Sequence, residues 1–176
     1  MNFNALRENG LKAGFTEVVP LDCSALQAEP QVRQMCASCH RYEKSWSCPP
    51  ACGTLEECRE RMAGYTKGIL VQTVGELEDE LDGLGMRKAQ ERHQESMLRF
   101  LKELQKTYPN VLALGAGCCD LCSECTYPEQ PCRFPENMIF SVESHGILVS
   151  ELCRANQMKY YYGKNRISYT GCYLLE

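Results

Sequence analysis

Four cysteines in one short loop carry the strongest chemical signal in this chain. In CCDLCSECTYPEQPCRFP, residues 118–135, Cys119, Cys122 and Cys125 stand at C-x2-C-x2-C spacing, and Cys132 follows seven residues after Cys125. Thiolates held this close repel one another unless a cation joins them. Tetrahedral zinc sites usually take two cysteines from each of two knuckles, whereas three cysteines at successive x2 gaps with a fourth downstream resemble the ferredoxin way of holding a cubane iron–sulfur cluster. The leading expectation is therefore a 4Fe-4S cluster, with zinc as the alternative. The ferredoxin run has x3 before its fourth cysteine and a proline directly after it; here the gap is x6, and Arg133 and Phe134 precede Pro135. Which centre Cys132 serves is open at this stage. Buried thiols without a metal are the plainer reading, since cysteine is among the most buried residue types. A loop rich in Asp, Ser, Glu and Pro is not composed like a core, however. Gly115 and Gly117 would let backbone N–H groups approach cluster sulfides, or serve simply as turn residues.

A second group lies in CASCHRYEKSWSCPPACG, where Cys36, Cys39, Cys48 and Cys52 are expected to converge. C-x2-C-x8-C-P-P suits half of a zinc site as well as three corners of a cubane. Cys48 before Pro49 matches the cysteine-proline pair that ends the ferredoxin motif, where the proline stiffens the exit and removes a donor. The fourth ligand could be Cys52, Cys58 or Cys132. Cys23, Cys118, Cys153 and Cys172 lack multidentate spacing and are expected to be packing cysteines. His93 falls on the apolar face of a long helix and reads as a core histidine, and His145 has no partner at metal spacing. His40, directly after Cys39, is the one histidine with a claim to ligation. Arg41, Lys44 and Arg133 are either ordinary solvated cations or charges that offset a thiolate-ligated cluster and meet an acidic partner. Trp46 and Tyr42 either shield a cluster from water or merely cover the loop.

These loops need elements to hold them. Residues 4–13 read as a short helix ending at Gly14, with Leu6 and the neighbourhood of Leu11 on one side, followed by the alternating strand FTEVVPL. Pro30 opens a short helix through PQVRQM, because proline is tolerated at the first helical position, and this helix delivers Cys36. Thr54 and Glu57 form a capping box that predicts a helix over 55–63, and KGILVQTV reads as a buried strand. Residues 84–107 repeat apolar side chains at three- and four-residue intervals through Met86, Ala89, His93, Met97 and Leu104, which predicts the longest helix. Pro109 stops it. VLALGAG then gives a short strand whose end opens the 118–135 loop, the kind of position where function usually sits. A further helix is expected from about Gly146. MKYYY and RISYTGCYLLE flank Gly163, Lys164 and Asn165, predicting a terminal β-hairpin. The whole predicts a single α/β domain spanning residues 1–176, with helices on a mixed sheet and both cysteine loops beyond one edge.

A chain of 176 residues can bury a core without staples, so its thirteen cysteines need another explanation than a shortage of core. The N-terminal stretch lacks a basic segment followed by an apolar one, and no run of 18 apolar residues occurs, so neither secretion nor membrane insertion is expected. The expected compartment is the cytoplasm, where thiols stay reduced and clustered cysteines serve metals or catalysis. A net charge of -4 offers no electrostatic footprint for nucleic acid. There is no phosphate-binding loop, dinucleotide fingerprint or nucleophile elbow. The pattern points to a redox partner protein, with the oligomeric state open; a zinc-stabilised interaction protein and a metal-handling enzyme with an open iron are the rivals.

Taken together, WSCPPACG, LGAGCCDLCSECTYPEQPCRFPENM, ESHGI and the terminal TGCYLLE resemble the prokaryotic family of predicted metal-binding proteins known as domain of unknown function 2284. The resemblance spans most of the chain and implies metal binding through Cys36, Cys39, Cys48, Cys119, Cys122, Cys125 and Cys132. It names no reaction. Its pattern implies no role for Cys52 or Cys118.

Overall fold

A computed structural model describes residues 2–176. Helix α1 (Phe3–Ala13) begins where the Asn2 side chain accepts from the Ala5 N–H and ends at Gly14. Gly14 has φ 114°, and a Cβ there would lie 2.6 Å from Ser96 Oγ, so both backbone and packing require glycine. Leu6 is buried but Leu11 is 36% exposed. Five residues along a helix turn the side chain well away from the starting face, so the expected shared side does not form. Strand β1 (Glu17–Leu21) leads through a 3-10 turn to α2 (Pro30–Met35), which starts on its proline and passes Cys36 into the first cysteine loop. Helix α3 (Leu55–Ala63) carries the reciprocal Thr54–Glu57 capping box.

The sheet order is β1-β2-β5-β3-β4. Its centre is the long antiparallel pair β2 (Lys67–Glu76) and β5 (Arg166–Leu175). Strand β1 pairs antiparallel outside β2; β3 (Leu112–Gly115) pairs antiparallel with β5, and β4 (Phe140–Ser141) parallel with β3. The mixed α/β class is as expected. Helix α4 (Gly83–Leu104) covers one face, packing Met97, Phe100, Leu101 and Leu104 against Ile69, Val71, Ala113 and Tyr173. On the other face Leu70, Leu114, Cys172 and Leu174 pack with Met62, Val142, Ile147 and residues of α5 (Val149–Ala155). Helix and sheet approach closely at Gly171, where a Cβ would sit 2.8 Å from both Met97 Sδ and the Leu114 carbonyl oxygen.

The terminal hairpin does not form. Residues 158–163 have no strand structure, and β5 takes its partners from β2 and β3 instead. Two side chains explain what holds that segment: Gln72 donates to the Lys159 carbonyl, and the Tyr162 hydroxyl bonds Glu17 and Gln72. Side-chain bonding to the opposite sheet edge thus replaces a backbone ladder. Among the described residues no helix is long and apolar enough to cross a membrane.

Candidate metal centre

The second cysteine loop is the connection from β3 to β4, so the sheet edge itself fixes both its ends. The first loop leaves α2 and is fastened to it by side chains. Ser47 Oγ, on a fully buried residue, accepts from the Cys119 N–H at 3.0 Å. The Trp46 indole donates to the Gln130 carbonyl at 3.1 Å and meets the Tyr127 ring edge-on at 5.0 Å. Ser45 lies 3.0 Å from Ser47 and touches the thiols of both Cys48 and Cys125. Residues 45–48 are therefore a buried clasp between the two loops.

On one side of the clasp lies a cavity of about 460 Å³. Cys36, Cys39 and Cys48 line it from the first loop, with His40 and Arg41. Cys118, Asp120, Gly117 and Glu143 close it from the β3–β4 side, and Gln90 from α4. The Cys118 thiol donates to Asp120 Oδ1 at 3.6 Å, and Arg41 pairs with the same oxygen at 3.6 Å, on the cavity wall that they share with Cys48. The contact from Cys118 brings Cys48 down to about 7 against the opposing effect of burial, with help from Ser47, Ser45 and the Arg41 charge. The Cys48 neighbour in turn pushes Cys118 up, and burial adds to the effect. Burial raises Cys36, partly countered by Arg33, while Glu143, Cys48 and Cys39 press in the same direction as burial.

On the other side, Cys119 is raised by burial and by the nearby Cys132 and Asp120, against the N–H groups of Leu121 and Ile139 that bond its sulfur. Cys125 also meets an upward push from burial, but N–H groups of Tyr127, Trp46 and Thr126 and the Ser45 hydroxyl outweigh it and lower its pKa. Sulfur atoms that accept several N–H bonds are suited to bear thiolate charge, and such bonds are among the levers that set cluster potentials. The loop is braced by Arg133, which donates to the Glu124 carbonyl at 2.9 Å, and by Thr126, which donates to the Pro131 carbonyl.

The family model described as "Predicted metal-binding protein (DUF2284)" matches residues 19–175, which include both loops. The chain belongs to this family. Comparison with curated proteins and with solved structures returned no match.

Six of the seven cysteines expected from sequence have neighbours that relate them to the two loops. Cys36, Cys39 and Cys48 share the cavity; Cys119 and Cys132 are close enough to influence each other, and Cys125 reaches back to the clasp. Among the described residues, no three His, Cys, Asp or Glu side chains converge as they stand on a point that would hold a single ion. Thiolates in this donor set fit iron–sulfur clusters and zinc alike. When bound, such a group supplies either one-electron chemistry or a structural cross-link.

One cysteine was misplaced by its sequence context. Cys118 does not pack in the core; it lines the cavity beside Cys48. It follows Gly117, whose φ of 79° turns the chain out of β3 and away from the core. The other expected packing cysteines do pack: Cys153 and Cys172 are fully buried, and Cys23 lies against the same core. Cys52 and Cys58 do not border the cavity. They are 2% and 0% exposed and bond each other in a network with Arg33, Arg61 and His145. Cys52 donates and is pushed up; the bond it gives lowers Cys58 to about 4 despite burial, with His145 and Arg33 assisting.

The histidines also separate clearly. His145 bonds Ser144 and Arg61 at 3.1 and 3.0 Å within that network. His93 is a core residue with Nδ1 on the Thr73 hydroxyl at 2.9 Å, between the rings of Phe15 and Tyr169, and Nε2 has no partner. Burial lowers its pKa to about 3, which keeps the ring neutral. His40 alone lines the cavity.

Proposed function

We propose that this chain is an iron–sulfur protein holding two 4Fe-4S clusters, one in each cysteine loop, and that it passes electrons to a partner protein in a reducing cytoplasm. The observation that carries the reading is the clasp at residues 45–48, which brings two cysteine groups together while giving each its own sulfur-directed hydrogen bonds. The cavity of about 460 Å³ between the upstream cysteines leaves room for a polynuclear centre. Trp46 packed on Tyr127 restricts water around the downstream loop, and solvent exposure is one of the quantities that set a cluster's potential.

Anaerobic purification followed by iron, sulfide and zinc analysis tests this directly. The expected protein is brown, with about 8 iron atoms per chain for two cubanes. Colourless protein with stoichiometric zinc would make it a zinc-stabilised protein instead. The partner is a redox protein with an acidic docking face, recognised by Arg41, Lys44 and Arg133 around the loops. Reduced protein mixed with a flavoprotein or ferredoxin should reoxidise faster at low salt, because exposed charges are screened within about 10 Å at 0.1 M salt. Rates indifferent to salt would remove the electrostatic docking.

A further inference from the structure

We propose that Cys118 is the fourth ligand of the upstream centre, closing a set of Cys36, Cys39, Cys48 and Cys118 around one cavity and leaving Cys119, Cys122, Cys125 and Cys132 as the complete downstream set. All four upstream cysteines border the same space, where the Cys118 thiol donates to Asp120 Oδ1 at 3.6 Å and Arg41 meets the same carboxylate oxygen at 3.6 Å. The competing thiols are committed elsewhere. Cys52 and Cys58 bond each other, and the Cys52 carbonyl and Cys58 sulfur are engaged by Arg61 and Arg33. Cys132 lies by Cys119. His40 and Glu143 also border the cavity, but soft thiolates are the ligands that iron–sulfur clusters select.

The consecutive cysteines make this division physically natural. Cys118 lines the upstream cavity, whereas Cys119, whose N–H is held by Ser47, does not border it. Two centres would then be joined through one peptide unit, with successive Cα atoms about 3.8 Å apart.

The nature of the metal rests on the iron–sulfur reading, but the ligand set does not, and the test separates them. Wild type, Cys118→Ala and Cys52→Ser are compared for metal and sulfide content, with circular dichroism to confirm folding. Cys118→Ala should lose about half of the metal, or retain a cluster that mild oxidation converts to a 3Fe form visible by electron paramagnetic resonance, while Cys52→Ser matches wild type. Cys118→Ala indistinguishable from wild type in both measurements overturns the assignment with the clusters intact. If wild type carries zinc, the iron–sulfur reading falls, and loss of about half of the zinc in Cys118→Ala still supports the ligand. Alkylation of wild type before and after chelation needs no variant: Cys118 should become reactive together with Cys36, Cys39 and Cys48, and an unchanged Cys118 rate would overturn the proposal.

Discussion

Replacing Cys122 with Ala should remove about half of the iron, roughly 4 of 8 atoms per chain on the two-cubane reading. Cys122 is half-buried in the middle of the 118–135 loop, between Cys119 and Cys125. Its loop has its own braces, from Thr126 to Pro131 and from Arg133 to Glu124, that do not pass through the upstream cysteines. The upstream cavity should therefore keep its cluster when the downstream one is lost. Iron and sulfide should fall together and the remaining visible spectrum should keep its shape. Unchanged iron would remove Cys122 from the ligand set. Complete loss would show that the clasp makes assembly of one centre depend on the other.

The independence expected there comes from elements that were readable before any coordinates. The capping box at Thr54, the proline at the start of α2 and the apolar stripe of α4 are local signals, set by residues within one or two turns of each other. They placed the helices well. The main failure was one of long-range partner choice. The alternation of β5 was legible, but whether it paired with MKYYY or with β2 depended on Gln72 and Tyr162 bonding across the sheet edge, and no local pattern carries that information. Helix α4 stops at Leu104 and not at 107 because the chain turns before Pro109.

The site divided in the same way. Spacing within a loop singled out the downstream cysteines, since all four sit in one connection. Cys118 looked like a neighbour of β3 because its sequence context gave no direction for its side chain, yet it lines the cavity with Cys36, Cys39 and Cys48. The doublet Cys118-Cys119 was the available signal: two adjacent thiols cannot easily serve one small centre, but they can serve two. Ser45 and Ser47 were invisible for a related reason. Buried serines gain meaning only from what lies opposite, here Cys119 and Cys125.

The largest stability effect is expected at Arg33. Helix α2 has six residues, too short to persist without tertiary support. Arg33 supplies that support by donating to the carbonyls of Ser144 and Gly53 and lying 3.6 Å from the Cys58 sulfur. Arg61 completes the arrangement from α3, bonding the Cys52 carbonyl and His145 and stacking 4.9 Å from the Phe140 ring centre. Cys58 is fully buried in this network, its pKa brought down to about 4 chiefly by the Cys52 neighbour and helped by His145 and Arg33. Arg33→Met keeps much of the aliphatic stem but leaves two carbonyls and the sulfur without their shared donor. Hydrogen bonds to charged groups contribute about 1.5–3 kcal/mol each, and removing one member of a buried ion pair costs about 3–5 kcal/mol. Partial exposure of Arg33 places the expected loss near the lower end, about 3 kcal/mol. Urea unfolding followed by circular dichroism should show it, whereas Arg154→Met, which removes an exposed pair with Glu151, should stay within about 0.5 kcal/mol of wild type. Because α2 runs directly into Cys36, Arg33→Met should also lower upstream metal occupancy before it lowers the downstream one. An Arg33→Met protein as stable as Arg154→Met would mean that the clasp at residues 45–48 alone holds the first cysteine loop in place.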